Sequence, residues 1–130
     1  IVMPRNISFL LTTGQFRKQT KTVTRRIRWL NVKVGDHLMG CVKCQGIKPG
    51  EQIERLGMII VTDVRRERLD CMLQEPYGSD EATLEGFPEM TGADFVSMFC
   101  KHMSVPPDEM VTRIEFKYDE QSLANIRNSG

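Results

Sequence analysis

The chain has 130 residues, with 40% hydrophobic and 27% charged side chains and a net charge of +1. That length and composition fit one domain with a real core and exclude a wholly disordered chain. No apolar run approaches the roughly 18 residues of a membrane span, and Phe9-Leu10-Leu11 is too short for a secretory leader.

In chain order, Asn6 to Leu11 is rich in Ile, Phe and Leu and predicts a short strand. Thr12 or Thr13 is the expected N-cap of a short helix reaching about Lys18. Thr22 to Ile27 predicts a half-exposed strand or extended loop, and Val34-Gly35-Asp36 a turn. His37 to Val42 and Ile53 to Val64 predict two strands paired as a hairpin across Lys48-Pro49-Gly50-Glu51, with Gly57 at a bulge. A short acidic helix is expected from Ser79, closed by Gly86 as its C′ residue. Thr91-Gly-Ala-Asp94 is a near capping box before Phe95, Val96, Phe99, Cys100 and Met103, an apolar face at helical spacing that Pro106-Pro107 ends. Met110 to Tyr118 alternates as a strand with one buried face. Met58, Met98, Met103 and Met110 are expected to fill the core.

Strands outnumber helices and do not alternate with them, so the expected fold is α+β: a small, mostly antiparallel sheet or barrel with two or three helices packed at its side. Residues 1–5 are expected to form an N-terminal extension, 6–118 the domain, and 119–130 a flexible tail, with Met3 as the natural start. The absence of a leader and the presence of four cysteines in apolar surroundings favour free thiols and a cytoplasmic location. Cys41-Val-Lys-Cys44 is half of a zinc motif, which Cys71, Cys100, His37 or His102 would have to complete. Cys41 and Cys44 fall at a strand end, where period two turns residues three apart to opposite faces, so a sharp bend would be needed to join them. No metal and no cofactor is expected.

The net charge conceals a segregation. No acidic residue precedes Asp36, and the first 35 residues carry +8 against −7 for residues 36–130. This pattern points to an anionic partner, or to acidic segments folded against the basic one. Within it, Lys21-Thr22-Val23-Thr24-Arg25-Arg26-Ile27-Arg28-Trp29 combines cations, hydroxyls and the only Trp. Arg and Thr suit phosphate and base edges, and Trp suits stacking on an unpaired base. A solvated edge strand is the alternative. Arg65 and Arg66 would extend a phosphate-binding surface or cap a strand in solvent.

Lys21 to Arg26, Lys33-Val-Gly35-Asp36 opening a strand, Glu85-Gly86-Phe87, and the closing strand Val111-Thr-Arg-Ile-Glu-Phe116 together resemble the ASCH domain family of the PUA-like superfamily, closest to small stand-alone phage and prophage proteins. Of the loose signature G-x-K-x-x-E-x-R, Lys21 and Arg26 match, while Gln19 replaces Gly and Thr24 replaces Glu. The resemblance implies a PUA-like β-barrel with a basic cleft for RNA or a modified nucleoside. With the residue chemistry above, the expected ligand contacts are Thr22, Arg25, Arg26, Arg28, Trp29, Arg65 and Arg66. Some small members are amidohydrolases that deacylate N4-acetylcytidine, which gives Lys21, Thr24 and Glu85 as the corresponding catalytic set. Thr24 would attack the acetyl carbonyl, Lys21 accept its proton, and Glu85 protonate the leaving amine or orient Lys21. Convergence needs Lys21 to sit in the turn before the strand. A ribonuclease and a phage protein that binds a host protein complete the alternatives; a phage-encoded chain would act in the bacterial host cell.

Overall fold

A computed structural model describes residues 4–120. Five strands, β1 (Arg5–Ser8), β2 (Val23–Arg26), β3 (His37–Cys41), β4 (Arg55–Arg68) and β5 (Met110–Tyr118), form one sheet in the order β1-β3-β4-β5-β2. The β1–β3 pairing is parallel and the other three are antiparallel. Helices α1 (Thr13–Arg17), α2 (Tyr77–Leu84) and α3 (Gly92–Met103) complete the α+β architecture. The sheet curls into a half-barrel. Its two edge strands are joined not by a backbone ladder but by the Arg26 side chain, whose Nη2 donates to Ser8 O at 2.6 Å.

Two bulges support the curl. Gly40 pairs with Gly57 and Cys41 with Arg55, so Leu56 is the extra residue, one place before the expected Gly57. A second irregularity falls between Val61 and Asp63. Extra residues of this kind increase local twist and bend a strand.

Several boundaries differ from expectation. β1 ends at Ser8, because Phe9 leaves the extended region (φ −123°, ψ 42°) and Leu10–Thr12 turns as a 3-10 helix. Neither Thr12 nor Thr13 caps α1 through its side chain; Thr13 Oγ1 donates back to Phe9 O at 2.8 Å. β5 is buried on both faces, not one. Ile114 and Phe116 enter the half-barrel core with Ile7, Phe9, Phe16 and Ile59, whereas Val111 joins Leu69, Met72, Phe95 and Phe99 under the helices. Its Arg113 is also buried, at 4% exposure. The methionine expectation fails where Met103 and Met110 are exposed; Met72 is the fully buried one.

α3 carries a complete capping box, Thr91 with Asp94, and ends at Ser104 in the left-handed region. α2 closes through Glu85 as C-cap, followed by Gly86 at φ 101°, a conformation that glycine adopts without steric cost. α2 and α3 touch through bare backbone: a methyl on Gly92 would lie 2.6 Å from Gly78 Cα and 1.8 Å from Met72 O. Among the described residues no helix is long and apolar enough to cross a membrane. Of the expected extension and tail, residues 1–3 and 121–130 lie outside the described residues; Arg5 belongs to β1.

Candidate functional site

The site forms where the start of β2 meets the end of α2. Thr22 N donates to Leu84 O at 2.8 Å, which sets the residue before it against the helix C-terminus. Lys21 therefore lies ahead of the strand, as convergence requires, and its Nζ donates to Glu85 Oε1 at 2.7 Å and Glu85 O at 2.9 Å. Tyr118 Oη donates to Lys21 O at 2.5 Å and fixes the turn from below. Lys21, Thr24 and Glu85 are each no more than 3% exposed. All three line one pocket of about 250 Å³ together with Arg26. Its apolar wall comes from Leu10, Leu11, Phe87, Phe99 and Met103, and His102 lies at its edge.

The residues of the expected catalytic set are brought together, and the bond from Lys21 to Glu85 is the one an orienting role for Glu85 requires. Lys21 is bonded to Glu85, whereas Thr24 Oγ1 accepts from Arg26 Nε at 3.0 Å. The Arg26 guanidinium also packs over the Phe9 ring, 5.1 Å from its centroid. Burial pushes the Lys21 ammonium below its ordinary value, against the opposing pull of Glu85 and with help from Arg26 and Arg25. Burial brings Arg26 down to about 10, which leaves it cationic at neutral pH.

Behind the pocket runs a chain of buried charge that the sequence reading missed. Glu85 Oε2 accepts from Arg25 Nη1 at 3.0 Å, Arg25 Nη2 donates to Glu81 Oε1, and Glu81 Oε2 accepts from Arg113 Nη2 at 3.1 Å. Arg25 and Arg113 are direct cross-strand partners, an arrangement that repels unless an anion lies between them. Glu81 supplies it. Burial works against its charged form, but the bonds from Arg113 and Arg25 outweigh that and hold the Glu81 carboxyl below its ordinary value. Arg25 Nε is the one buried side-chain polar atom without a hydrogen-bond partner among the described residues. Two signals were available in the sequence. Glu81 and Glu85 stand four apart on one helix face, and Arg25 and Arg113 each occupy a strand.

The remaining predicted ligand contacts are dispersed. Thr22 is half-buried and does not line the pocket. Arg65 donates to Tyr77 Oη at 2.6 Å and to Glu67 at 2.9 Å. Arg66 donates to Thr112 Oγ1 at 2.8 Å and to Arg28 O at 3.2 Å. Trp29 faces a different groove, where the Arg5 guanidinium stacks on its ring at 3.5 Å from the centroid. The predicted basic cleft is thus an apolar pocket with a small polar floor. Of its cations, Lys21 and Arg25 are paired with the buried acids at and after α2, while Arg26 bonds only neutral oxygens of Thr24 and Ser8. Among the described residues no cluster of three His, Cys, Asp or Glu could hold a metal ion.

Comparison with known proteins places the fold. No family model matches the sequence, and no curated protein matches it. The chain is similar to a crystal structure from Enterococcus faecalis V583 assigned to family DUF984, at 14% identity and a TM-score of 0.61 over 91% of this chain and 81% of that one. It is also similar to an ASCH domain from Lactobacillus crispatus JV V101, at 17% identity and a TM-score of 0.53 over 88% of this chain and 78% of that one. The likeness shows the fold: the chain has an ASCH-like fold.

Proposed function

We propose that this ASCH-like domain binds a single nucleoside, free or as an unpaired residue of RNA, with its base in the pocket between β2 and α3. The observation that carries this reading is the pocket itself: about 250 Å³, walled by Leu10, Phe87 and Phe99 and floored by Lys21, Thr24, Arg26 and Glu85. A volume at the low end of ligand sites suits one planar heterocycle, with apolar contact on its faces and a few placed polar groups on its edge. The pairing of Arg25, Arg65 and Arg113 with carboxylates argues against a broad phosphate-binding surface. Affinity for the nucleoside is therefore expected to change little with salt, unlike binding that releases counterions from a strand. Titration with cytidine and N4-acetylcytidine, followed by calorimetry or amide NMR, tests this. Absence of binding by either nucleoside, with tight and steeply salt-dependent binding of single-stranded RNA, would sink it.

A second reading, hydrolysis of an N4-acylated cytidine, is favoured by one observation: a buried Lys21 whose pKa is lowered lies in the same pocket as Thr24. In this reaction Thr24 Oγ bonds to the acyl carbon, its proton passes to neutral Lys21, and the C–N bond breaks as the amine takes up a proton. Water then cleaves the threonyl ester. Incubation with N4-acetylcytidine should release cytidine, and Thr24→Ala and Lys21→Ala should each abolish release. No turnover by folded protein at micromolar concentration ends this reading for that substrate. A ribonuclease gains no support, because the two histidines do not meet: His102 edges the pocket and His37 the Trp29 groove.

A further inference from the structure

Three cations and one carboxylate line the pocket between β2 and α3: Lys21, Arg25, Arg26 and Glu85. The carboxylate is engaged on both oxygens, Oε1 by Lys21 Nζ at 2.7 Å and Oε2 by Arg25 Nη1 at 3.0 Å. Arg26 forms no ion pair among the described residues. Its hydrogen bonds there, from Nε to Thr24 Oγ1 at 3.0 Å and from Nη2 to Ser8 O at 2.6 Å, go to neutral oxygens. The Phe9 ring, 5.1 Å away, covers the guanidinium but brings no countercharge.

Arg26 is nonetheless only partly exposed, and burial weakens its hold on the proton. A desolvated guanidinium without a counter-ion is a costly arrangement, and folded proteins keep such groups paired. The unused donors show where a counter-ion would sit. Arg26 Nη1 takes part in neither of the two bonds. Lys21 Nζ gives two of its three protons to Glu85, one to Oε1 and one to the backbone O. Thr24 Oγ1 accepts from Arg26, and its own proton has no acceptor among the described residues. A flat, singly charged carboxylate suits a few donors on one side. The apolar wall of Leu10, Phe87 and Phe99 suits the body that carries it.

We propose that Arg26 is an anion anchor, and that the ligand of this pocket carries a carboxylate at its buried end, on a planar apolar body. The inference rests on the nucleoside reading for the identity of that body alone. It adds to it an acidic group on the edge of the base that meets the floor.

The test titrates the whole chain with benzoate and with benzamide, which differ in one group, and follows the backbone amides and the Arg26 Nε–H by NMR. Benzoate should bind about tenfold tighter than benzamide and should shift the Arg26 Nε–H and the Thr24 amide. Arg26→Lys, which keeps the charge, should keep the preference; Arg26→Gln should lose it. If Arg26→Gln does not fold, the Arg26 Nε–H in the parent decides. Equal affinities, no shift with millimolar benzoate, or a preference undiminished in folded Arg26→Gln would overturn the anchor. Phenyl phosphate binding tighter than benzoate would overturn the carboxylate. The same pairing is then made with 5-carboxycytidine and cytidine. A 5-carboxycytidine no tighter than cytidine, with both bound, overturns the acidic edge. Benzoate preferred while neither nucleoside binds leaves the anchor standing and ends the nucleoside reading alone.

Discussion

Replacing Glu81 by glutamine is the sharpest test of the buried charge chain. The carboxylate separates two guanidinium groups whose side chains are 0% and 4% exposed. Glutamine has nearly the same shape but carries no charge, and it turns an amide donor toward donors. Neither cation is stranded entirely: Arg25 keeps Glu85 at 3.0 Å, and Arg113 keeps the more exposed Glu115 at 3.0 Å. Removing one partner of a buried pair costs about 3–5 kcal/mol, so with these residual contacts a loss of about 3 kcal/mol is expected. For a domain of this size that lowers Tm by about 10 °C. Urea denaturation measures it, as a lower midpoint with an unchanged slope. A companion, Glu81→Leu with Arg113→Met, replaces the pair by apolar groups and should lose less than Glu81→Gln, because it buries one unpaired cation fewer. A loss below about 1 kcal/mol in Glu81→Gln, the range of an exposed pair, would refute the reasoning, as would a companion less stable than the single variant.

The same carboxyl sets an acid limb. Its value lies below the ordinary 4.5 when folded, so the unfolded chain binds the proton first. Its contribution is full above that ordinary value and is lost as pH falls through the folded value; Glu81→Gln should flatten this limb in urea titrations at stepped pH, and an unchanged limb counts against the assignment. Gly92→Ala should cost several kcal/mol or prevent soluble folding, since its methyl meets Met72 O at 1.8 Å and backbone cannot swing aside; a melting temperature near that of the parent would show that α2 and α3 do not pack this closely. Thr112→Val removes the hydroxyl that donates to Arg28 O and so loosens Arg28 and Trp29, held at φ 69° and 44°. The emission of the single Trp should move to the red with a loss of about 1–2 kcal/mol; unchanged emission would mean that Arg66 alone holds the turn.

What the sequence disclosed was local. The helical spacing of Phe95, Val96 and Phe99 and the Thr91–Asp94 box both describe contacts within one turn or face, and α3 forms where they predict. The hairpin of β3 and β4 was legible for the same reason: Pro49-Gly50 is a turn whatever surrounds it. Alternation in β5 gave the strand but not its surroundings. Arg113 reads as the outward residue of an amphipathic strand until α2 is laid over it, and α2 reads as a surface helix until its carboxylates are seen to face arginines from β2 and β5. Glu81 and Arg25 are 56 positions apart, and no periodicity within either element reports on such a pairing. The Lys21–Glu85 pairing across 64 positions came only through resemblance. Residue chemistry alone suggested Trp29 and Arg65 as ligand contacts; in the fold Trp29 stacks with Arg5 and Arg65 bonds Tyr77.

The sheet edge at β1 and β2 has one more implication. Every other strand junction is zipped by a repeating backbone ladder, which parts only if several bonds part together. Among the described residues the hydrogen bond across this junction is that from the Arg26 fork, which grips Ser8 with one nitrogen and its own strand's Thr24 with another. A nucleoside seated on the floor as proposed would compete for a nitrogen of that fork, so occupancy and the closing of the half-barrel would draw on the same few atoms. If the proposed nucleoside binds there, the tightness of the sheet at its open side would depend on occupancy, and hydrogen exchange at Ser8 and Phe9 would record it.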